Sequence, residues 1–153
     1  YPNLNDDEWL WGGKPEDILT TISHGIRFAS DDATRFSEMP AFADMLDKDQ
    51  IAQAAAYVVS LSGTPVNPSL VEAGQAVFAE NCAACHGDDG KGLRDFGAPD
   101  LTDAIWLRGS GEAAIMAQIT APKHGIMPAW AGRLGEATVK ELTVYVHSLG
   151  GGE

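Results

Sequence analysis

Apolar residues recur along this chain at helical spacing, and no stretch shows the every-other-residue alternation of strands. Pro15 opens a segment whose Ile18, Leu19 and Ile22 share one face, and Gly25 closes it. Asp47-Lys48-Asp49-Gln50 reads as a capping box before a helix to about Leu61. Its apolar face is Ile51, Ala54, Ala55, Val58 and Leu61. Residues 62–68 are turn formers and read as a linker. Asn67 suits a cap and Pro68 the first position of the next helix, which runs to about Asn81. Residues 87–100 form a glycine-rich irregular loop, and a short helix follows Gly109-Ser110-Gly111 through Ile119. Residues 122–128 are extended. A last helix starts near Glu136, with Val139, Leu142, Tyr145, Val146 and Leu149 on one face, and stops at Gly150-Gly151-Gly152. The pattern predicts an all-α protein.

The same pattern occurs twice. Pro2, Leu4, Trp9 and Leu10 match Pro99, Leu101, Trp106 and Leu107 at an offset of 97, as Ile18 and Ile22 match Ile115 and Ile119. His24-Gly25-Ile26 matches His124-Gly125-Ile126 after a small insertion. Met39-Pro40-Ala41-Phe42 then matches Met127-Pro128-Ala129-Trp130 at an offset of 88, followed by Leu46, Tyr57, Val58, Ser60 and Leu61 against Leu134, Tyr145, Val146, Ser148 and Leu149. One supersecondary unit is used twice. The linker divides the chain into domains at 1–63 and 64–153.

Candidate chemistry centres on Cys82-Ala83-Ala84-Cys85-His86, which contains both cysteines of the chain. Cys-x-x-Cys-His reads as a covalent haem attachment site. Two thiols on one helical turn can add to the two vinyl groups of a porphyrin, and the next histidine then lies under the ring as proximal ligand. A zinc site would need further soft ligands at metal spacing. A redox dithiol would follow a strand. By the repeat, an equivalent motif belongs about 15 residues before Tyr1. Tyr1 thus reads as an interior residue, and the first domain as lacking its N-terminal part.

An electron-transfer haem needs a sixth ligand. Met127, in a loop stiffened by Pro128, is the candidate for the iron held by His86, and Met39 for a first haem attached upstream. His124 is the rival ligand. Met45 and Met116 read as core packing, and His147 as a surface or packing histidine. Trp106 and Trp130 read as packing near haem. A carbonyl at Pro99 is placed to accept the second N–H of His86.

Gly74 and Phe78 before the motif, with Leu142 and Tyr145 in the last helix, resemble the class I cytochrome c fold. That fold implies first and last helices crossing at a glycine–aromatic contact, here Gly74 and Phe78 against Tyr145. The stretches "PNLNDDEWLWGG", "ISHGIRFASDDATRFSEMPAF", "NCAACHGDDGKG" and "GIMPAWAGRL" together resemble the dihaem cytochrome subunit of cbb3-type cytochrome c oxidases. The resemblance covers nearly the whole chain and implies two tandem cytochrome c-like domains on an N-terminal membrane anchor. It further implies location at the periplasmic face of the bacterial inner membrane. Partners would be the other oxidase subunits and, as donor, a c-type cytochrome or the cytochrome bc1 complex. The subunit would carry electrons to an oxygen-reducing partner without being an enzyme by itself. The rival functions are a soluble dihaem carrier, the cytochrome subunit of a periplasmic dehydrogenase, and a haem sensor with a labile sixth ligand.

Charge narrows the partners. The formal net charge is −12, with −7 in residues 1–63 and −5 in 64–153. Such a surface disfavours nucleic acid and suits a basic redox protein or simple solubility. No stretch approaches the roughly 20 apolar residues of a membrane span. Cysteine-linked haem implies export before maturation, hence the periplasm.

Overall fold

The computed structural model describes residues 2–150. Tyr1 and the glycines Gly151 and Gly152 assigned to the end of the last helix lie outside them. Seven helices are present among the described residues: α1 (Pro15–His24), α2 (Lys48–Ser62), α3 (Val71–Asn81), α4 (Ala83–His86), α5 (Glu112–Thr120), α6 (Ala131–Leu134) and α7 (Glu136–Ser148). There are no named strands among these residues. Two isolated bridges join Ile26 to Arg35 and Ile26 to Met127.

Local chemistry explains the helix ends. Pro15 occupies the first turn of α1, where a missing N–H costs nothing, and Glu16 and Asp17 complement the positive end of its dipole. The α2 capping box is formed: the Asp47 carboxylate accepts from Gln50 N–H at 2.8 Å, and the Gln50 side chain accepts from Asp47 N–H at 3.0 Å. Pro68 instead opens a 3-10 turn, Pro68–Leu70, that leads into α3, and the Asn67 side chain accepts from the Ser69 hydroxyl rather than capping. A thirteen-residue α7 begins at Glu136, as the spacing predicts.

The chain folds as two compact units that do not follow the expected division at 63/64. The first unit holds residues up to Glu38, Arg94–Gly97, and those from His124 on. The second holds Met39–Leu93 and Ala98–Lys123. Each unit therefore combines the front of one repeat with the back of the other. The reason lies in the packing of α3. In the second unit α3 lies against α2. A Cβ on Gly74 would meet the Gln53 carbonyl, whose carbon is 2.7 Å away, and the Tyr57 Cβ at 2.8 Å. Phe78, 2 % exposed, packs its ring 5.2 Å from that of Tyr57. The glycine–aromatic crossing thus exists, but Tyr57 makes it and Tyr145 is 61 % exposed.

The core of the second unit is Phe42, Leu46, Ile51, Ala54, Ala55, Val58, Val59, Val77, Phe78, Leu101, Ile115 and Ile119. Ala54, Ala55 and Ala56 are fully buried, and their small side chains let α2 approach its neighbours closely. In the first unit Ile18, Ile22 and Val139 form a smaller core, covered by Trp9, Leu19, Met127, Trp130, Leu142 and Val146. Met45, expected in a core, is 58 % exposed at the C-terminal end of the 3-10 turn Phe42–Asp44, where its backbone N–H donates to the Phe42 carbonyl. Met116 does pack on the second unit's core.

Candidate haem attachment site

The attachment motif occupies one turn at the end of α3. Cys85 N–H and His86 N–H both reach back to the Cys82 carbonyl, at 3.2 and 3.0 Å. Cys82 is the hinge residue between α3 and α4, and Gly87 ends α4. Both cysteines are free of disulfide and half-buried. Burial, with the neighbouring Cys85 adding to it, pushes the Cys82 thiol up to about 11, so it is held neutral.

His86 is oriented by the loop that follows. Its Nδ1 lies 3.2 Å from the Pro99 carbonyl, which can only accept, so Nδ1 carries the proton and Nε2 is the free lone pair. Burial lowers the imidazole's pKa and outweighs the opposing effect of the Pro99 hydrogen bond. The ring is thus neutral, the form that binds iron. Gly92 makes this geometry possible. Its N–H donates to the His86 carbonyl at 2.7 Å, its φ is +76°, and a Cβ there would strike the Ala98 carbonyl and lie 2.8 Å from the Pro99 oxygen.

The sixth-ligand candidates are placed differently from one another. Met39 belongs to the second unit and packs on the same core as Cys82, Ala83 and Trp106. Met127 belongs to the first unit, on the core of Ile18, Ile22 and Val139. Its backbone is fastened to Ile26 by reciprocal hydrogen bonds of 2.9 and 3.0 Å. Met127 and His86 thus belong to different units, and of the two equivalent methionine loops that the repeat supplies, the earlier one lies on the core that Cys82 borders. His124 also lies in the first unit, as does Trp130, while Trp106 lies in the second. His24 Nδ1 faces the Asp31 carboxylate at 3.1 Å, a local contact that the sequence did not signal.

Two thiols one turn apart beside an oriented imidazole fit a covalently bound haem, the arrangement of a c-type cytochrome site. Among the described residues no group of three or more His, Cys, Asp or Glu is placed to hold another metal. Residues 69–146 match the family described as cytochrome c oxidase, cbb3-type, subunit III, and the chain belongs to that family. It is 63 % identical over 153 residues to the cbb3-type cytochrome c oxidase subunit FixP of Sinorhizobium medicae, covering all of this chain and 53 % of that protein. It is 54 % identical over 155 residues to subunit CcoP of Cereibacter sphaeroides, again all of this chain and 53 % of the relative. The chain spans about half the length of the curated relatives it matches. No helix among the described residues is long and apolar enough to cross a membrane.

Proposed function

We propose that this chain is the electron-carrying part of a cbb3-type oxidase subunit, attaching haem c through Cys82 and Cys85 with His86 as proximal ligand. The bound haem supplies a one-electron couple. The residues around it hold that couple in place: the cysteines fix the ring edge, Pro99 fixes the His86 tautomer, and the buried core excludes water. Met39 is the sixth ligand of this iron, because it packs on the core that Cys82 also borders. Met127, in the other unit, serves a haem attached upstream of Tyr1. A thioether opposite imidazole favours the ferrous state and raises the reduction potential relative to bis-histidine ligation.

His86 and Met39 would both hold the iron, so oxygen reduction would belong to a partner subunit, to which this chain would pass single electrons from a donor c-type cytochrome or cytochrome bc1 complex. The setting is the periplasmic face of the bacterial inner membrane, with an anchor in the part of the protein beyond this chain. The observation that carries this reading is the free thiol pair with His86 Nδ1 held at 3.2 Å from the Pro99 carbonyl. Denaturing mass spectrometry of the chain, matured in cells able to attach haem, tests it. One covalent haem is expected, and none after replacing both Cys82 and Cys85 with Ser. An unloaded native chain, or haem retained by the double variant, overturns the reading.

A further inference from the structure

Within the first unit, the loop that carries Met127 is held by residues just after α1. Ile26 and Met127 exchange both backbone hydrogen bonds, at 2.9 and 3.0 Å, and Ile26 also bridges to Arg35. Gly25 lets these backbones close: a Cβ there would strike the Met127 carbonyl and lie 2.7 Å from the Pro128 carbonyl carbon. Residues 27–38, the insertion that only the first repeat has, fold around this pairing. Arg27 N–H donates to the Arg35 carbonyl at 2.8 Å, Arg35 N–H to the Gly25 carbonyl at 3.2 Å, and Phe28 N–H to the Thr34 hydroxyl at 3.1 Å. Arg27 is the one non-glycine residue with a positive φ, +53°, among the described residues. That left-handed conformation costs an L side chain energy and costs glycine none, so a turn alone would suit glycine here. What arginine adds is its side chain. Nε donates to the Gly125 carbonyl at 2.8 Å and Nη1 to the Ser37 carbonyl at 2.8 Å. One half-buried, planar guanidinium thus ties the end of the insertion to the residue two places before Met127. Hydrogen bonds from a charged donor are among the stronger ones, and two of them offset the backbone cost.

We infer that Arg27 is the positioning residue for Met127: its left-handed backbone aims the guanidinium at Gly125, and the bonds to Gly125 and Ser37 fix the loop that presents the thioether. The inference rests on the reading that Met127 serves a haem attached upstream of Tyr1, and it adds what holds that ligand in place. Arg27 touches neither the iron nor the ring. It acts through the Gly125 carbonyl and the Ile26–Met127 backbone pair. A loop so fastened keeps the thioether from swinging away, and a weaker iron–sulfur bond would lower the reduction potential and admit an outside ligand. The second repeat has no counterpart of Arg27, since Met127 directly follows Ile126. The brace therefore belongs to the Met127 loop alone.

The test uses the full-length protein, matured with its haems, as parent, Arg27→Ala, Arg27→Gly and Met127→Ala. Redox titration and carbon monoxide binding are read on each, and deuterium exchange at the Met127 N–H on the parent and both Arg27 variants. Arg27→Ala keeps the left-handed backbone cost and loses both side-chain bonds; Arg27→Gly loses the bonds and the cost together. In both, the Met127 N–H should exchange about tenfold or more faster than in the parent, because hydrogen bonds to a charged donor are gone. The couple that Met127→Ala also moves should fall in potential, and its iron should bind carbon monoxide in part. The other couple should stay at the parent value, which shows that the fold is intact. Parent exchange and parent potential in Arg27→Ala overturn the inference. Parent values in Arg27→Gly mean that only the turn matters, and overturn it too. Faster exchange with an unmoved potential makes Arg27 a clamp without effect on the ligand, and likewise overturns it. If Met127→Ala moves neither couple, the ligand reading itself fails and the inference falls with it, a result distinct from the others because each of those requires the couple that Met127→Ala identifies.

Discussion

Gly74→Ala is the sharpest perturbation of the helix pairing on which the haem unit is built. Two effects oppose each other. Alanine is the better helix former in a helix interior by about 0.8–1 kcal/mol. Against this, the new methyl must enter a space that holds the Gln53 carbonyl, with its carbon at 2.7 Å and the Tyr57 Cβ at 2.8 Å. Backbone cannot swing aside as a flexible side-chain tip does, so α2 and α3 must separate. Separation loosens the Tyr57–Phe78 ring pair and the fully buried alanines of α2. Overpacking of this kind costs about 1–3 kcal/mol and at a helix crossing lies at the upper end, so it outweighs the propensity gain. A net loss of about 1–2 kcal/mol should follow, equivalent to roughly 2–8 °C in Tm for a chain of this size. The control is Gly132→Ala in α6, where a Cβ meets nothing within 4 Å. That change should be neutral or stabilising. The assay is chemical denaturation of both variants, followed by helical circular dichroism and the haem absorption band. If Gly74→Ala is as stable as Gly132→Ala, α3 does not cross α2 at this glycine and the packing argument fails.

Three further outcomes follow from particular contacts. Asp47→Ala removes one half of a formed capping box and should cost about 1 kcal/mol of stability, read from the denaturation midpoint. The Ala33 N–H, with His24 adding to it, holds the Asp31 carboxyl below its ordinary value against an opposing effect of burial, so its stabilisation is present above that value and lost as pH falls through the lowered one. Acid titration of stability should therefore fall less steeply below about pH 4 in Asp31→Asn than in the parent. For partner choice, the −12 surface should steer a basic donor cytochrome. Stopped-flow association should slow as salt shortens the Debye length from about 10 Å at 0.1 M to about 3 Å at 1 M, and an insensitive rate would assign the acidity to solubility.

Much of the site was legible in the chain itself. Cys82, Cys85 and His86 are recognisable because their chemistry requires sequence adjacency. Pro99 was foreseeable as the partner of His86 because the repeat marks it and a carbonyl is a common orienting group. The Asp47 capping box, the Pro15 start and the Gly25 stop depend on neighbours a few residues away, and they formed as expected. Which helix would cover α3 was not legible. Tyr57 and Tyr145 occupy equivalent places in two copies of one pattern, and periodicity says which face of a helix is apolar but not what covers it. The same ambiguity bears on the sixth ligand, since Met39 and Met127 have the same Met-Pro-Ala-aromatic setting and only their units distinguish them. The composition of α2 carried a usable signal. Ala54-Ala55-Ala56 allows close approach to Gly74, whereas the α7 counterparts Leu142, Thr143 and Val144 are bulkier. Two of the contacts that the repeat could not announce, His24 with Asp31 and Arg35 with Asp17, lie in or reach from the 27–38 insertion that only the first repeat has.

The most direct measurement of the ligand assignment is a carbon monoxide difference spectrum on the reduced, singly haem-loaded chain carrying Met39→Ala or Met127→Ala. If Met39 is the sixth ligand, its removal opens the His86-held iron to carbon monoxide and lowers the reduction potential, while Met127→Ala leaves both at the parent values. Carbon monoxide binding confined to Met127→Ala, with Met39→Ala unchanged, would contradict the pairing of α2 with the haem unit and restore the division of the chain at residue 63.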